Sequence, residues 1–174
     1  MNAYTIWLTG LSASGKTTLA NEIEQYLKKC DIPVQIIDGD IVRKEIGGLF
    51  GYSKNERIKL LKVYTLIANL LNKNNVFAIV AAVSAYNEIR EFNRINIDNY
   101  IEIYLKCSLE VCMKRDVKGL YERCLEGLEK NVIGVDEHYE IPDRPDLVLD
   151  TANNSIQECM NEIVIFLNTT IIEG

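Results

Sequence analysis

Between residues 10 and 17 the chain reads Gly-Leu-Ser-Ala-Ser-Gly-Lys-Thr, directly after the apolar run Tyr4–Thr9 and at the head of the amphipathic stretch Lys16–Lys29. Leu19, Ile23, Tyr26 and Leu27 recur at helical spacing in that stretch, and the preceding run is short and apolar enough for a buried strand. A strand that passes into a helix through such a loop has few folds open to it. The loop N–H groups converge at the helix N-terminus, where the helix dipole adds partial positive charge. The spacing fits G-x-x-x-x-G-K-[ST], the phosphate-binding loop. Read this way, Gly10, Ser12, Ala13, Ser14, Gly15 and Thr18 help to cradle the phosphates of ATP. The Lys16 ammonium bridges the β- and γ-phosphates, and the Thr17 hydroxyl ligates Mg²⁺. An accidental match in a glycine-bearing turn would not require a strand before it and a helix after it.

The remaining pattern agrees. Val34–Ile37, Phe77–Val83, Tyr100–Leu105 and the weaker Leu147–Leu149 read as further buried strands. Helical patterns start at Ser53, where Glu56 three residues on suggests a capping box, and cover Tyr86–Ile95, Leu109–Arg115 and Ser155–Leu167. Strand–helix alternation of this kind predicts one α/β P-loop NTPase domain over residues 1–174, with a five-stranded parallel sheet and helices on both faces. Residues 116–145 are charged, punctuated by glycine and poorly periodic, and are expected to form a lid.

Composition removes other classes. The 174 residues carry 19 Lys+Arg against 25 Asp+Glu, a net charge of −6, which argues against a nucleic-acid or anionic-membrane binder. The longest apolar run, Val76–Val83, is too short to span a bilayer, and the first residues lack a basic secretory n-region. Five cysteines with no C-x-x-C pair fit reduced thiols and a cytoplasmic location. A single histidine, His138, builds neither a catalytic His network nor a His-rich zinc site, and is read as a surface residue.

Among phosphate-loop proteins, a GTPase needs an Asn-Lys-x-Asp base reader; Asn72-Lys-Asn-Asn75 lacks the aspartate and precedes a strand. The strand that ends in acid is Val34–Asp38, followed by Gly39-Asp40. Asp38 and Asp40 thus fall at the carboxyl end of a strand, where open α/β sheets bind ligands. One carboxylate can orient Mg²⁺-bound water, and the other can take the proton of an acceptor hydroxyl in phosphoryl transfer. Asp38 is first choice for the base and is also a metal candidate with Thr17; Asp40 is set at the metal or the acceptor ribose, and the two can exchange. A kinase is the reading these residues favour over a plain ATPase or a non-catalytic nucleotide-binding module.

The sequence then resembles a known family, the adenylyl-sulfate kinases. The resemblance runs through Trp7–Thr18, Asp38-Gly-Asp-Ile-Val-Arg43, Gly51-Tyr-Ser53 with Arg57, Arg115–Tyr121, Gly134–Glu140 and Pro145–Asp150. It implies transfer of the γ-phosphoryl group of ATP to the 3′-hydroxyl of adenosine 5′-phosphosulfate, with Mg²⁺, in a homodimer. It further implies that Lys16, Asp38 and Asp40 are catalytic and that Arg115 lies on the ATP side. Asp40, Arg43, Tyr52, Arg57, Ser84, Lys118 and Val132 would face the small-molecule nucleotide acceptor. The departures from the family pattern gather on that acceptor side. Tyr52 stands in place of a stacking Phe, Val132 in place of a second one, and Asn87 in place of an Arg. They leave open the same 3′-phosphorylation of another nucleotide anhydride, cytidine diphosphoramidate of capsule synthesis first. The pathway is correspondingly either sulfate assimilation or polysaccharide biosynthesis.

Overall fold

The computed structural model describes residues 2–172. Five parallel strands, β1 (Thr5–Thr9), β2 (Val34–Asp38), β3 (Phe77–Ala81), β4 (Tyr100–Lys106) and β5 (Leu147–Asp150), form one sheet in the order β2-β3-β1-β4-β5. The strand bearing the glycine loop is therefore central, and its carboxyl end opens between β3 and β4. Side-chain alternation along β1 divides the core. Ile6 and Leu8 pack with Leu19, Ile23, Ile103 and Ile163 on the face covered by α1 (Lys16–Lys29) and α7 (Ile156–Leu167). Trp7, between them in sequence, packs on the other face with Leu60, Tyr64, Val80 and Ile89 under α3 (Lys54–Lys73) and α4 (Asn87–Asn96). The doubly wound α/β architecture expected from the sequence is the one observed.

Helix starts follow local chemistry. Ser53 caps α3 through the Glu56 amide, and Ser155 with Glu158 forms a complete capping box on α7. Two short helices were not visible in the sequence pattern: α2 (Gly39–Ile46), capped by Asp38, and α6 (Leu120–Leu125). Neither reaches three turns, too few for a period of 3.6 to declare itself. α5 (Leu109–Arg115) lies where expected. β3 stops at Ala81, two residues short of the apolar run, because the chain leaves the ladder there and bends through Ser84 at φ +32°.

Residues 116–145 are not bare loop. Asp116 accepts the amides of Leu120 and Glu122 at 2.9 Å each, which starts α6. Tyr121, Val132, Ile133 and Tyr139 are all buried, pinning the segment over the carboxyl end of the sheet, while Val117 and Leu128 are exposed. Among the described residues no helix is long and apolar enough to cross a membrane.

Leu8 has no exposed surface and sits in the central strand. Leu8→Ala should cost about 3 kcal/mol of stability by transfer loss plus the cavity left behind. A urea titration followed by circular dichroism checks it through a lower midpoint at unchanged slope.

Candidate active site

A cleft of about 1090 Å³ lies across the carboxyl ends of the strands. One end is the glycine loop, Gly10–Thr17. Its conformation needs the residues it has: a Cβ on Gly10 would meet the Leu105 carbonyl and the Ser14 hydroxyl at 2.8 Å, and Gly15 takes φ +101°. Ala13 also adopts a left-handed φ of +60°. Three donors from the far half of the chain hold the loop from behind. The Tyr121 hydroxyl donates to the Ser12 carbonyl at 3.0 Å, Arg115 to the Ala13 carbonyl at 3.5 Å, and the Thr151 hydroxyl to the Ser14 carbonyl at 2.9 Å. With those carbonyls tied outward, the loop amides are left to converge on an anion. Arg115 also donates to the Thr151 carbonyl at 2.5 Å, so the two braces support each other.

Lys16 folds onto this loop and donates to the carbonyls of Gly10 at 3.0 Å and Leu11 at 2.7 Å. Burial pulls its pKa down to about 8, against the Asp40 carboxylate, which raises it. Thr17 and Asp38 meet directly: the hydroxyl donates to Asp38 Oδ2 at 2.8 Å. Asp38 is buried, and its Oδ1 accepts the amides of Asp40 at 2.9 Å and Ile41 at 3.3 Å. Asp40 stands one residue into α2 with an exposed carboxylate, and Lys118 reaches across the cleft to pair with it.

The opposite wall carries the guanidinium groups. Arg43 and Arg57 lie on the Tyr52 ring, 4.6 Å and 5.3 Å from its centroid. Arg57 also donates to the Tyr52 carbonyl at 2.8 Å and to the Asn131 carbonyl, joining the head of α3 to residues 116–145. Burial and the neighbouring Arg43 hold Arg57 below the ordinary guanidinium pKa, the burial effect being larger. Ser84 and Val132 line the same cleft, both nearly fully buried. All the sequence-derived site residues except Gly10 thus line one cavity, and Gly10 lies immediately beneath it.

The sequence did not point to Thr151 or to the bracing hydroxyl of Tyr121, since single donors to backbone carry no spacing signature. Nor did it reveal the buried cluster of Arg90, Arg94 and Glu102 on α4 and β4. A lone Glu in the apolar run of β4 was the available clue. His138 is exposed, as expected, and Cys107 and Cys112 are buried. Burial, reinforced by Cys107, pushes the Cys112 thiol up to about 12, which makes it a poor nucleophile.

Lys16 gives the ligand-free protein a defined pH signature. An unfolded lysine titrates near 10.5, so between about pH 8 and 10.5 the unfolded chain holds a proton that the folded one has released. Stability against this group rises with pH across that window, and the burial penalty is complete below it. Lys16→Met should therefore unfold at higher urea than the wild type at pH 7, with the gap closing as pH approaches 10.5; urea midpoints across that range check it.

The comparisons with known proteins agree with this geometry. The family model described as adenylylsulphate kinase matches residues 2–150. An adenylyl-sulfate kinase of Synechococcus sp. (strain JA-3-3Ab) is 39% identical over 160 residues, covering 92% of this chain and 91% of that one. One from Halothermothrix orenii is 38% identical over 163 residues, covering 94% and 88%. Among solved structures, the Mycobacterium tuberculosis APS kinase in complex with AMPPNP and APS superposes with a TM-score of 0.90 at 32% identity, covering 96% of this chain and 98% of that one. With a phosphate loop, an acidic pair and a guanidinium wall in one cleft and matches of this extent, the chain belongs to the adenylylsulphate kinase family.

Proposed function

We propose that residues 1–174 form one kinase domain that transfers the γ-phosphoryl group of ATP to the 3′-hydroxyl of adenosine 5′-phosphosulfate. The observation that carries the reading is the cleft itself: a braced anion cradle at one end, two guanidinium groups at the other, and Asp38 and Asp40 between them. ATP lies on Gly10–Thr18 with Arg115 behind the loop. The acceptor lies against Arg43, Tyr52, Arg57, Ser84 and Val132, its anhydride suited to the planar forks of the two arginines. Residues 116–145 act as the lid, with Lys118 near both nucleotides.

The acidic pair divides by what each carboxylate already holds. Asp38 accepts two amides and the Thr17 hydroxyl, which suits it to the metal side and not to proton abstraction. Asp40, free of amide donors and facing the cleft, is the better proton acceptor for the 3′-hydroxyl once the acceptor anion draws Lys118 away. This exchanges the roles first suggested by the sequence. The Thr17 hydroxyl and Asp38 carboxylate are the hard oxygen pair that Mg²⁺ takes alongside nucleotide phosphates, and the ion would neutralise charge on the transferring group. Among the described residues no cluster of three His, Cys, Asp or Glu side chains builds a protein-only metal cage. Lys16 releases the loop carbonyls to reach the β- and γ-phosphates. In-line transfer then needs mainly positioning and charge neutralisation, which the cleft supplies by excluding water.

A second acceptor is favoured by one feature of the wall. Val132 presents an aliphatic surface, and the Asn87 side-chain amide is turned onto Asp143 at 3.0 Å, so neither position gives the acceptor a stacking ring or a cation. A smaller base, as in cytidine diphosphoramidate, fits that arrangement. Turnover with ATP and Mg²⁺ against both acceptors, with the product located by NMR, decides: 3′-phosphorylation of adenosine 5′-phosphosulfate is expected, and turnover of the cytidine compound alone would overturn the first reading. Lys16→Ala should lower kcat by about a thousandfold or more, and Arg57→Ala should raise the acceptor KM by at least about tenfold with little change for ATP. The same reading assigns a cytoplasmic homodimer, checked by light scattering of the purified protein.

A further inference from the structure

Arg90 projects from α4 into the protein beside the cleft, 2% exposed, and is not part of the cavity wall. Its Nη1 donates to the Ser84 carbonyl at 2.5 Å, and its Nη2 donates to the Glu140 carbonyl at 2.5 Å and to the Asn87 side chain. The Glu102 carboxylate, also 2% exposed, lies 3.8 Å from its Nε and supplies the counter-charge, shared with Arg94 at 3.0 Å. A buried ion pair of this kind is a weak source of stability, because desolvation consumes most of the attraction. What the guanidinium does that an apolar residue cannot is to bond two carbonyls 56 positions apart in the chain with one rigid fork.

The two carbonyls are telling. Ser84 is a non-glycine residue at φ +32°, a conformation that persists only where its surroundings fix it. Arg90 fixes its carbonyl, and the Trp7 indole donates to its hydroxyl oxygen at 2.8 Å. Since Trp7 uses the oxygen as acceptor, the hydroxyl proton of Ser84 remains to be donated, and this residue lines the cleft. Glu140, near the end of the 116–145 segment, is held against the same wall: its amide donates to the Ala85 carbonyl at 2.8 Å, and its carboxylate accepts the Asn87 backbone amide at 2.6 Å. The carbonyls of the phosphate loop are held by other donors, Tyr121, Arg115 and Thr151, none of which bonds to Arg90.

We infer that Arg90 is a positioning residue for the acceptor half of the site: it holds Ser84 and the exit of the 116–145 segment in one register, aims the Ser84 hydroxyl at the acceptor, and leaves the ATP half untouched. The inference rests on the kinase reading above. Arg90→Lys keeps the charge against Glu102 and loses the fork. It should raise the KM of adenosine 5′-phosphosulfate by about tenfold or more, with the KM of ATP within about twofold and the folded state retained by circular dichroism. Equal shifts in both KM values, or none, overturn the inference while wild-type turnover leaves the kinase reading standing. A wild type inert towards the acceptor overturns the kinase reading, and the inference with it. Should Arg90→Lys fail to fold, Trp7→Phe frees Ser84 from its other anchor; the same split between the two KM values is expected, and an unchanged acceptor KM overturns the role given to Ser84 and so to Arg90.

Discussion

The site depends on which way a few peptide groups of the loop after β1 face. An anion cradle needs its N–H groups inward, so its carbonyls must point out and find donors, since a buried carbonyl without a partner is costly. Tyr121, Arg115 and Thr151 are those donors. The helix dipole and the glycines permit the cradle, and these three contacts select it from the other shapes a glycine-bearing loop can take. Each comes from beyond β4, so the order of strands in the sheet is a condition of the chemistry: β4 must lie beside β1, and β5 beside β4, for the segments that follow them to reach the loop.

Across the cleft the same economy holds. The cations placed to meet the nucleotides are engaged with groups of the protein itself: Lys16 with loop carbonyls, Lys118 with Asp40, Arg57 with the Tyr52 and Asn131 carbonyls. An entering nucleotide therefore exchanges partners with the cleft instead of meeting bare charges. That keeps a strongly cationic surface from standing open on a protein whose net charge is −6. It also means that phosphate contacts and the arrangement of residues 116–145 change together, because Lys118 and the Asn131 carbonyl belong to that segment.

Much of this was legible in the chain, and the reasons are specific. Gly10, Gly15, Lys16 and Thr17 are recognisable because backbone geometry and phosphate chemistry demand them at fixed spacing. Asp38 is recognisable because it closes the apolar strand that directly follows the phosphate-loop helix. The sheet followed from β-branched runs whose length excludes helices. α2 and α6 escaped because eight and six residues do not complete a periodic signal. Arg90 and Thr151 escaped for another reason: each donates to backbone groups distant in sequence, and a donor to a carbonyl can be almost any polar residue. The division between Asp38 and Asp40 needed coordinates too, since only the amides at the start of α2 distinguish two carboxylates two residues apart.

The bracing contacts also bear on how the protein is made. The residues tied together lie 109, 102 and 137 positions apart, from Ser12 to Tyr121, Ala13 to Arg115 and Ser14 to Thr151. A nascent chain that has just released β1, α1 and β2 from the ribosome already carries the whole nucleotide motif, yet none of the groups that give it shape. The cradle is complete only when Thr151 has emerged. Competence to hold a nucleotide thus arrives long after the motif itself has been made, and a product truncated before Thr151 keeps the motif without the site.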